Sequence, residues 1–180
     1  MLPAKAIQQA ARHVRQGGII AYPTEGVFGL GCDPCNARAV LKLLQIKKRP
    51  ADKGLILIAA DIDQLKPFVT DIPDKVRQSW PGPVTWLLPA HKEVPHYLRG
   101  KYDTIAVRVT AHPIAAALCR ETGSALVSTS ANLSGQRPAI SDRDVRRRFD
   151  TSCIYVVPGQ TSTPGHPTPI RDAVSGSRLR

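Results

Sequence analysis

The chain has 180 residues, of which 42% are hydrophobic, and carries a formal charge of +11. That length and apolar content suit one globular unit over 1–180 with its own core, and they exclude a disordered or low-complexity polymer. The longest apolar run, "LILIAA", falls far short of the ~20 residues that a membrane-spanning helix needs. The positive excess favours polyanionic partners without choosing among them.

The amino-terminal stretch lacks the apolar core of a signal peptide, which makes a cytoplasmic location the expectation. It reads as an amphipathic helix over 4–16, with Ile7, Ala10, Ala11 and Val14 on one face and Gly17 and Gly18 ending it. "GIIAYP" reads as a strand, followed by a Gly-rich turn. "NARAVLKLLQIKKR" then repeats Ala39, Val40, Leu43 and Leu44 at helical spacing, with Asn36 as N-cap and Pro50 closing it. "GLILIAA" is a buried strand. Residues 61–80 read as two short helical pieces broken by Pro67 and Pro73, and "PGPVTWLLPA" is a strand entered from a Pro-Gly turn.

Residues 90–103 read as a loop, and "DTIAVRVT" alternates as a strand should. Pro113 takes the first helical position of "HPIAAALCRETG", which Gly123 ends. "SALVS" is a further strand that runs into "STSANLSG". An Arg-rich helix follows, with Val145 and Phe149 facing inward and Arg143, Arg146, Arg147 and Arg148 facing water. "CIYVV" is the last strand expected before a tail rich in Pro, Gly, Ser and Thr from residue 158. Strands and helices interleave, which points to an α/β or α+β open sheet of mixed strand direction.

Several chemistries lack their signatures. No phosphate-binding P-loop, complete dinucleotide fingerprint, zinc-protease helix or hydrolase elbow is present. Cys32 and Cys35 form "CDPC", half of a zinc pattern, and Cys119 and Cys153 stand apart, so no metal-ligating set is expected.

Four segments place polar or basic residues where regular elements end, which is where sites tend to lie. In "YPTEGVFGLG", Thr24 and Glu25 start a turn whose glycines admit a close ligand; a tight turn with a surface acid is the plainer alternative. In "KKRPADKG", Lys47, Arg49 and Lys53 gather three cations around Pro50, as a polyphosphate clamp would or as cations that complement a helix end. In "AVRVTAHP", Arg108 points away from Val107 and Val109, either to grip a carboxylate or phosphate or to form an ion pair on the sheet. In "STSANLSG", Ser128, Ser130 and Asn132 alternate along one edge and offer uncharged oxygens to phosphate or metal, or cap the next helix.

These segments occur in an order that resembles the YrdC/TsaC family of threonylcarbamoyl-AMP synthases. "YPTE", Lys47-Lys48-Arg49, "WPGPVT", "AVRVTAHP", Ser130-Ala131-Asn132 and "PTPIRDA" carry the likeness over nearly the whole chain. The resemblance implies an α/β single-domain fold, an open twisted mixed sheet flanked by helices with a basic concave cleft. It implies a reaction that joins L-threonine, bicarbonate and ATP, with Mg²⁺ on the phosphates, into threonylcarbamoyl-AMP and pyrophosphate. Downstream tRNA threonylcarbamoyl-transfer proteins would then modify the adenosine just 3′ of the anticodon.

By the same resemblance Lys47, Arg49, Ser130 and Asn132 are the catalytic candidates. Arg49, Lys53, Thr104, Ser130 and Asn132 would contact ATP, and Thr24, Arg108, Ser128 and Thr168 would contact threonine. Some relatives carry His where this chain has Ile58, Thr or Ala at Gly26, and Asn at Lys53. A rival reading is an RNA-binding module, which the charge supports, although aromatic residues at 5% supply few stacking platforms. Weak RNA binding is compatible with both readings.

Overall fold

The computed structural model describes residues 3–163 and 165–179. Helix α1 (Ala4–Arg15) buries Ile7, Ala10, Ala11 and Val14, the face its spacing predicts. Strand β1 (Ile19–Pro23) turns back into β2 (Phe28–Gly31), which pairs with it antiparallel. The glycines of "FGLG" predict a turn, yet all four of its residues are buried strand. Tertiary packing explains the difference. A side chain at Gly31 would begin 2.2 Å from the Val127 carbonyl oxygen, so glycine is what lets β2 lie between its neighbours.

Helix α2 (Ala37–Lys47) starts where Asn36 Oδ1 accepts from Ala39 N at 3.1 Å. It stops at Lys48, which takes left-handed backbone angles at φ 50°. After one 3₁₀ turn (Ala51–Lys53) comes β3 (Ile56–Ala59). Residues 61–80 hold a 3₁₀ turn at Asp63–Leu65 and the short α3 (Asp74–Arg77), after which β4 spans Thr85–Pro89. The stretch 90–103, read as loop, contains the short α4 (His96–Arg99) between Pro95 and Gly100.

Strand β5 (Thr104–Val109) leads into α5 (Pro113–Thr122), where Pro113 holds the first turn and His112 is the N-cap. Strand β6 (Leu126–Ser130), α6 (Asp142–Arg148) and β7 (Ile154–Val156) follow. Val145 and Phe149 are buried as expected. The tail adds a strand that the sequence reading missed, β8 (Ile170–Asp172).

All eight strands join one sheet in the order β7-β1-β2-β6-β3-β5-β4-β8. Three pairs, β1·β7, β3·β5 and β4·β8, are parallel and the rest antiparallel. The fold is therefore a mixed α/β sheet. Alternation along the strands sends Ile19, Ala21, Leu57, Val107 and Val127 to a large core on one face. Ile20, Tyr22, Ile58 and Leu126 go to the other face, under α1 and α5. Those two helices cover only part of that face, and the uncovered part holds the cleft. Among the described residues no helix is long and apolar enough to cross a membrane.

Candidate active site

A row of paired residues crosses four strands: Ser128 on β6 stands opposite Ile56 on β3, Ile56 opposite Ala106 on β5, and Ala106 opposite Leu87 on β4. This row floors a cleft of about 430 Å³. Arg49, Lys53, Arg99 and Arg108 line it, so the concavity is basic. Of the residues singled out by sequence, Thr24, Arg49, Lys53, Thr104, Arg108, Ser128, Ser130 and Thr168 are all in its walls. They arrive from five separate parts of the chain.

Arg108 points into the cleft while Val107 and Val109 enter the core, as the alternation predicts. It is only 3% exposed. Its Nη1 donates to Thr85 Oγ1 at 3.0 Å and to Thr168 Oγ1 at 2.7 Å. Its Nη2 forms an ion pair with Glu25 Oε2 at 3.2 Å, while Nε is buried without a hydrogen-bond partner. Glu25 is accordingly a buried counter-ion and not the surface acid of a tight turn. Nothing local announced this, because its partners Thr110 and Arg108 are distant in sequence.

Thr24 is held by its own turn, its Oγ1 donating to the Val27 carbonyl at 2.7 Å. The chain returns over this turn near its end: Thr163 N donates to the Glu25 carbonyl at 2.6 Å and Gly165 N to the Gly26 carbonyl at 2.9 Å. His112 Nε2 pairs with the Gln160 carbonyl at 3.0 Å. These contacts hold Gln160, Thr163 and Gly165 over the β1–β2 turn and the start of α5, as a strap that brings Thr168 to Arg108. The approach at Gly26 is close, since a Cβ there would sit 1.8 Å from the His166 carbonyl oxygen. The Thr or Ala of some relatives would not fit beneath the strap in this position.

Lys47 and Asn132 do not line the cleft. Lys47 is 3% exposed, and its ammonium donates to the Ser130 carbonyl, to the Asn132 carbonyl at 2.8 Å and to Asn132 Oδ1 at 3.4 Å. It therefore braces the serine-rich loop from behind, because α2 ends directly beneath it. The alternation expected of Ser128, Ser130 and Asn132 fails at the third residue. Strand β6 ends at Ser130, and Asn132 turns inward so that its Nδ2 donates to the carbonyls of Leu133 and Gln136, both at 2.9 Å. Ser130 Oγ donates to Asn132 Oδ1 at 2.5 Å.

Arg49 stays at the cleft wall, its Nη2 donating to the Gly54 carbonyl at 2.8 Å, and Lys53 is exposed at the rim. Burial pulls the Lys47 ammonium down to about 8, and the Arg49 charge adds to that shift. Burial lowers Arg49 as well, against the opposing pull of Asp52. Ile58, at the position where some relatives carry His, is fully buried under α5, and the β3 residue in the cleft is Ile56. Arg99 and Tyr102, which line the cleft from the 90–103 stretch, were missed in sequence because that stretch reads as featureless.

Cys32 is buried at the end of β2, which raises its thiol to about 12, with Asp33 adding to the effect of burial. Cys35 is exposed, and neither thiol lines the cleft. Among the described residues no group of three or more His, Cys, Asp or Glu side chains could hold a metal ion.

A family model for the Sua5/YciO/YrdC proteins, described as telomere recombination, matches residues 12–180. The chain belongs to this family. A threonylcarbamoyl-AMP synthase of Nitrosococcus oceani is 54% identical over 182 residues, covering 99% of this chain and 98% of that protein. One from Halorhodospira halophila is 54% identical over 178 residues, covering 97% and 93%. Among solved structures, P. abyssi Sua5 complexed with L-threonine superposes with a TM-score of 0.87 at 33% identity over 96% of this chain. This member of the Sua5/YciO/YrdC family spans about half of that longer Sua5, 52%. E. coli YciO matches with a TM-score of 0.83 at 27% identity, covering 97% of this chain and 87% of its own.

Proposed function

We propose that this chain is an L-threonylcarbamoyladenylate synthase, which makes threonylcarbamoyl-AMP and pyrophosphate from L-threonine, bicarbonate and ATP for modification of tRNA next to the anticodon. The observation that carries the reading is one basic cleft whose lining holds two kinds of group. Arg108, Thr24, Ser128 and Thr168 offer a guanidinium and hydroxyls for an amino acid, while Arg49, Lys53, Thr104 and Ser130 offer cations and hydroxyls for a polyphosphate. The relatives named threonylcarbamoyl-AMP synthase and the Sua5 bound to L-threonine support the same reading.

The threonine amino nitrogen attacks carbon dioxide derived from bicarbonate and loses a proton, giving a carbamate. A carbamate oxygen then attacks the α-phosphorus of ATP, the bond from that phosphorus to the β-phosphate oxygen breaks, and pyrophosphate leaves with the electron pair. The substrate supplies its own nucleophile, so the protein's part is orientation and charge balance. Arg108 would hold the threonine carboxylate through the charge of its guanidinium. Arg49 and Lys53 would neutralise charge developing on the phosphate oxygens. Lys47, through the carbonyls of Ser130 and Asn132, fixes the loop that brings Ser130 to the cleft.

Mg²⁺ would enter on the ATP phosphates and shield their charge. The Ser130 and Thr104 hydroxyls are hard oxygen donors of the kind that complete the shell of a cation held mainly by phosphate. The reading includes a single YrdC-like domain, a cytoplasmic location where ATP and tRNA meet, and hand-over to downstream transfer proteins. Weak RNA contact would fall on α6, where Arg143, Arg146, Arg147 and Arg148 are exposed. The test is pyrophosphate release by the purified protein with ATP and Mg²⁺. Release that requires both threonine and bicarbonate is expected, and release indifferent to either one contradicts the reading.

A further inference from the structure

Glu25 lies in the β1–β2 turn, yet it is 7% exposed, and both of its carboxylate oxygens face other parts of the chain. Oε1 accepts from Thr110 Oγ1 at 2.6 Å and from Ala111 N at 3.2 Å, which ties the carboxylate to the end of β5. Oε2 stands 3.2 Å from Arg108 Nη2. Burial alone would raise this carboxyl, but the Arg108 charge and then the Thr110 hydroxyl outweigh it and hold the group below its ordinary range. The carboxylate is therefore charged beside the guanidinium.

Three separate elements fix the Arg108 guanidinium. Thr85 on β4 and Thr168 on the strap take Nη1, and Glu25 takes Nη2. A guanidinium is planar and rigid, so two hydrogen bonds on Nη1 and the Glu25 charge beside Nη2, an ion pair without a hydrogen bond, together hold its plane in place. Its Nε is buried without a hydrogen-bond partner as well. Arg108 lines the cleft and Glu25 does not, so Glu25 has no path to a substrate except through the arginine.

We infer that Glu25 is a positioning residue for the threonine end of the reaction: its carboxylate holds the Arg108 guanidinium in the place and plane in which that charge meets the substrate carboxylate. The inference rests on the synthase reading. In Glu25→Gln the amide oxygen can still accept from Thr110 and Ala111, and the amide NH₂ then confronts Arg108 donor against donor. The guanidinium turns away from its present plane. A charge-neutral substitution of the same shape thus separates orientation from packing.

The experiment measures threonine-dependent pyrophosphate release by wild type and Glu25→Gln, together with L-threonine binding by calorimetry. The expected result is a KM for threonine raised about tenfold or more, kcat within about threefold of wild type, and a matching loss in calorimetric affinity. An unchanged KM in folded Glu25→Gln, or a fall in kcat alone, overturns the inference. Should Glu25→Gln fail to fold, Thr110→Val, which removes one hold on Oε1, decides by the same split between KM and kcat. Failure of wild type to bind threonine or to release pyrophosphate overturns the synthase reading, and the inference with it. Normal wild-type behaviour with an unaltered variant overturns only the role of Glu25.

Discussion

Lys47 Nζ donates to the main-chain carbonyl of Asn132 at 2.8 Å, so the basic residue nearest the end of α2 grips the serine-rich loop and leaves the cleft wall to Arg49. Lys47→Met leaves those carbonyls without their donor and is expected to lower stability by about 1–3 kcal/mol while also reducing turnover. The effect has a pH signature. Burial depresses this lysine from 10.5 to about 8, so the folded state binds its proton less tightly than the unfolded state. A group depressed in this way contributes stability that is fully present above 10.5 and is lost as pH falls through about 8. The stability difference between wild type and Lys47→Met, followed by urea unfolding, should therefore move in favour of wild type from neutral pH to pH about 10. A difference that stays flat over that range contradicts the assignment.

Arg49 differs from Lys47 in that it lines the cleft and gives only one strong hydrogen bond to the chain, to the Gly54 carbonyl. Arg49→Ala should accordingly cost about 1 kcal/mol of stability but reduce kcat by roughly 100-fold or more, because it removes a charge needed as pyrophosphate leaves. Steady-state kinetics beside a denaturation curve check both halves. Wild-type kcat in the folded variant would remove Arg49 from the mechanism.

At Gly26 the strap leaves no room for a side chain, since a Cβ would approach the His166 carbonyl oxygen to 1.8 Å. Backbone cannot yield as the tip of a flexible side chain can, so Gly26→Ala should lift the segment around His166 and draw Thr168 away from Arg108. Faster proteolytic cleavage within that segment and a weaker grip on threonine are the expected results. Cleavage and threonine KM both equal to wild type would show that the strap does not govern the site.

Regular elements with a strong period were legible in the sequence. The α1 face, the Asn36 cap, Pro113 at the start of α5 and the outward turn of Arg108 all follow from local pattern, and the structure bears them out. Strand β2 was not legible, because two glycines in four residues mimic a turn until the neighbouring strands demand close approach. Strand β8 and helix α4 are too short, at 3 and 4 residues, to show any period. The site divides along the same line. Which residues gather in the cleft was readable from motifs, but the bracing role of Lys47 and the burial of Glu25 depend on partners far along the chain, and Asn132 is turned by its own loop onto the Gln136 carbonyl.

The central claim is tested most directly by incubating the protein with ATP, Mg²⁺, L-threonine and isotope-labelled bicarbonate and weighing the nucleotide product by mass spectrometry. The account predicts an AMP adduct that carries both threonine and the labelled carbon, formed in step with pyrophosphate. An adduct without the label, or no adduct from folded protein with all four components present, would contradict it.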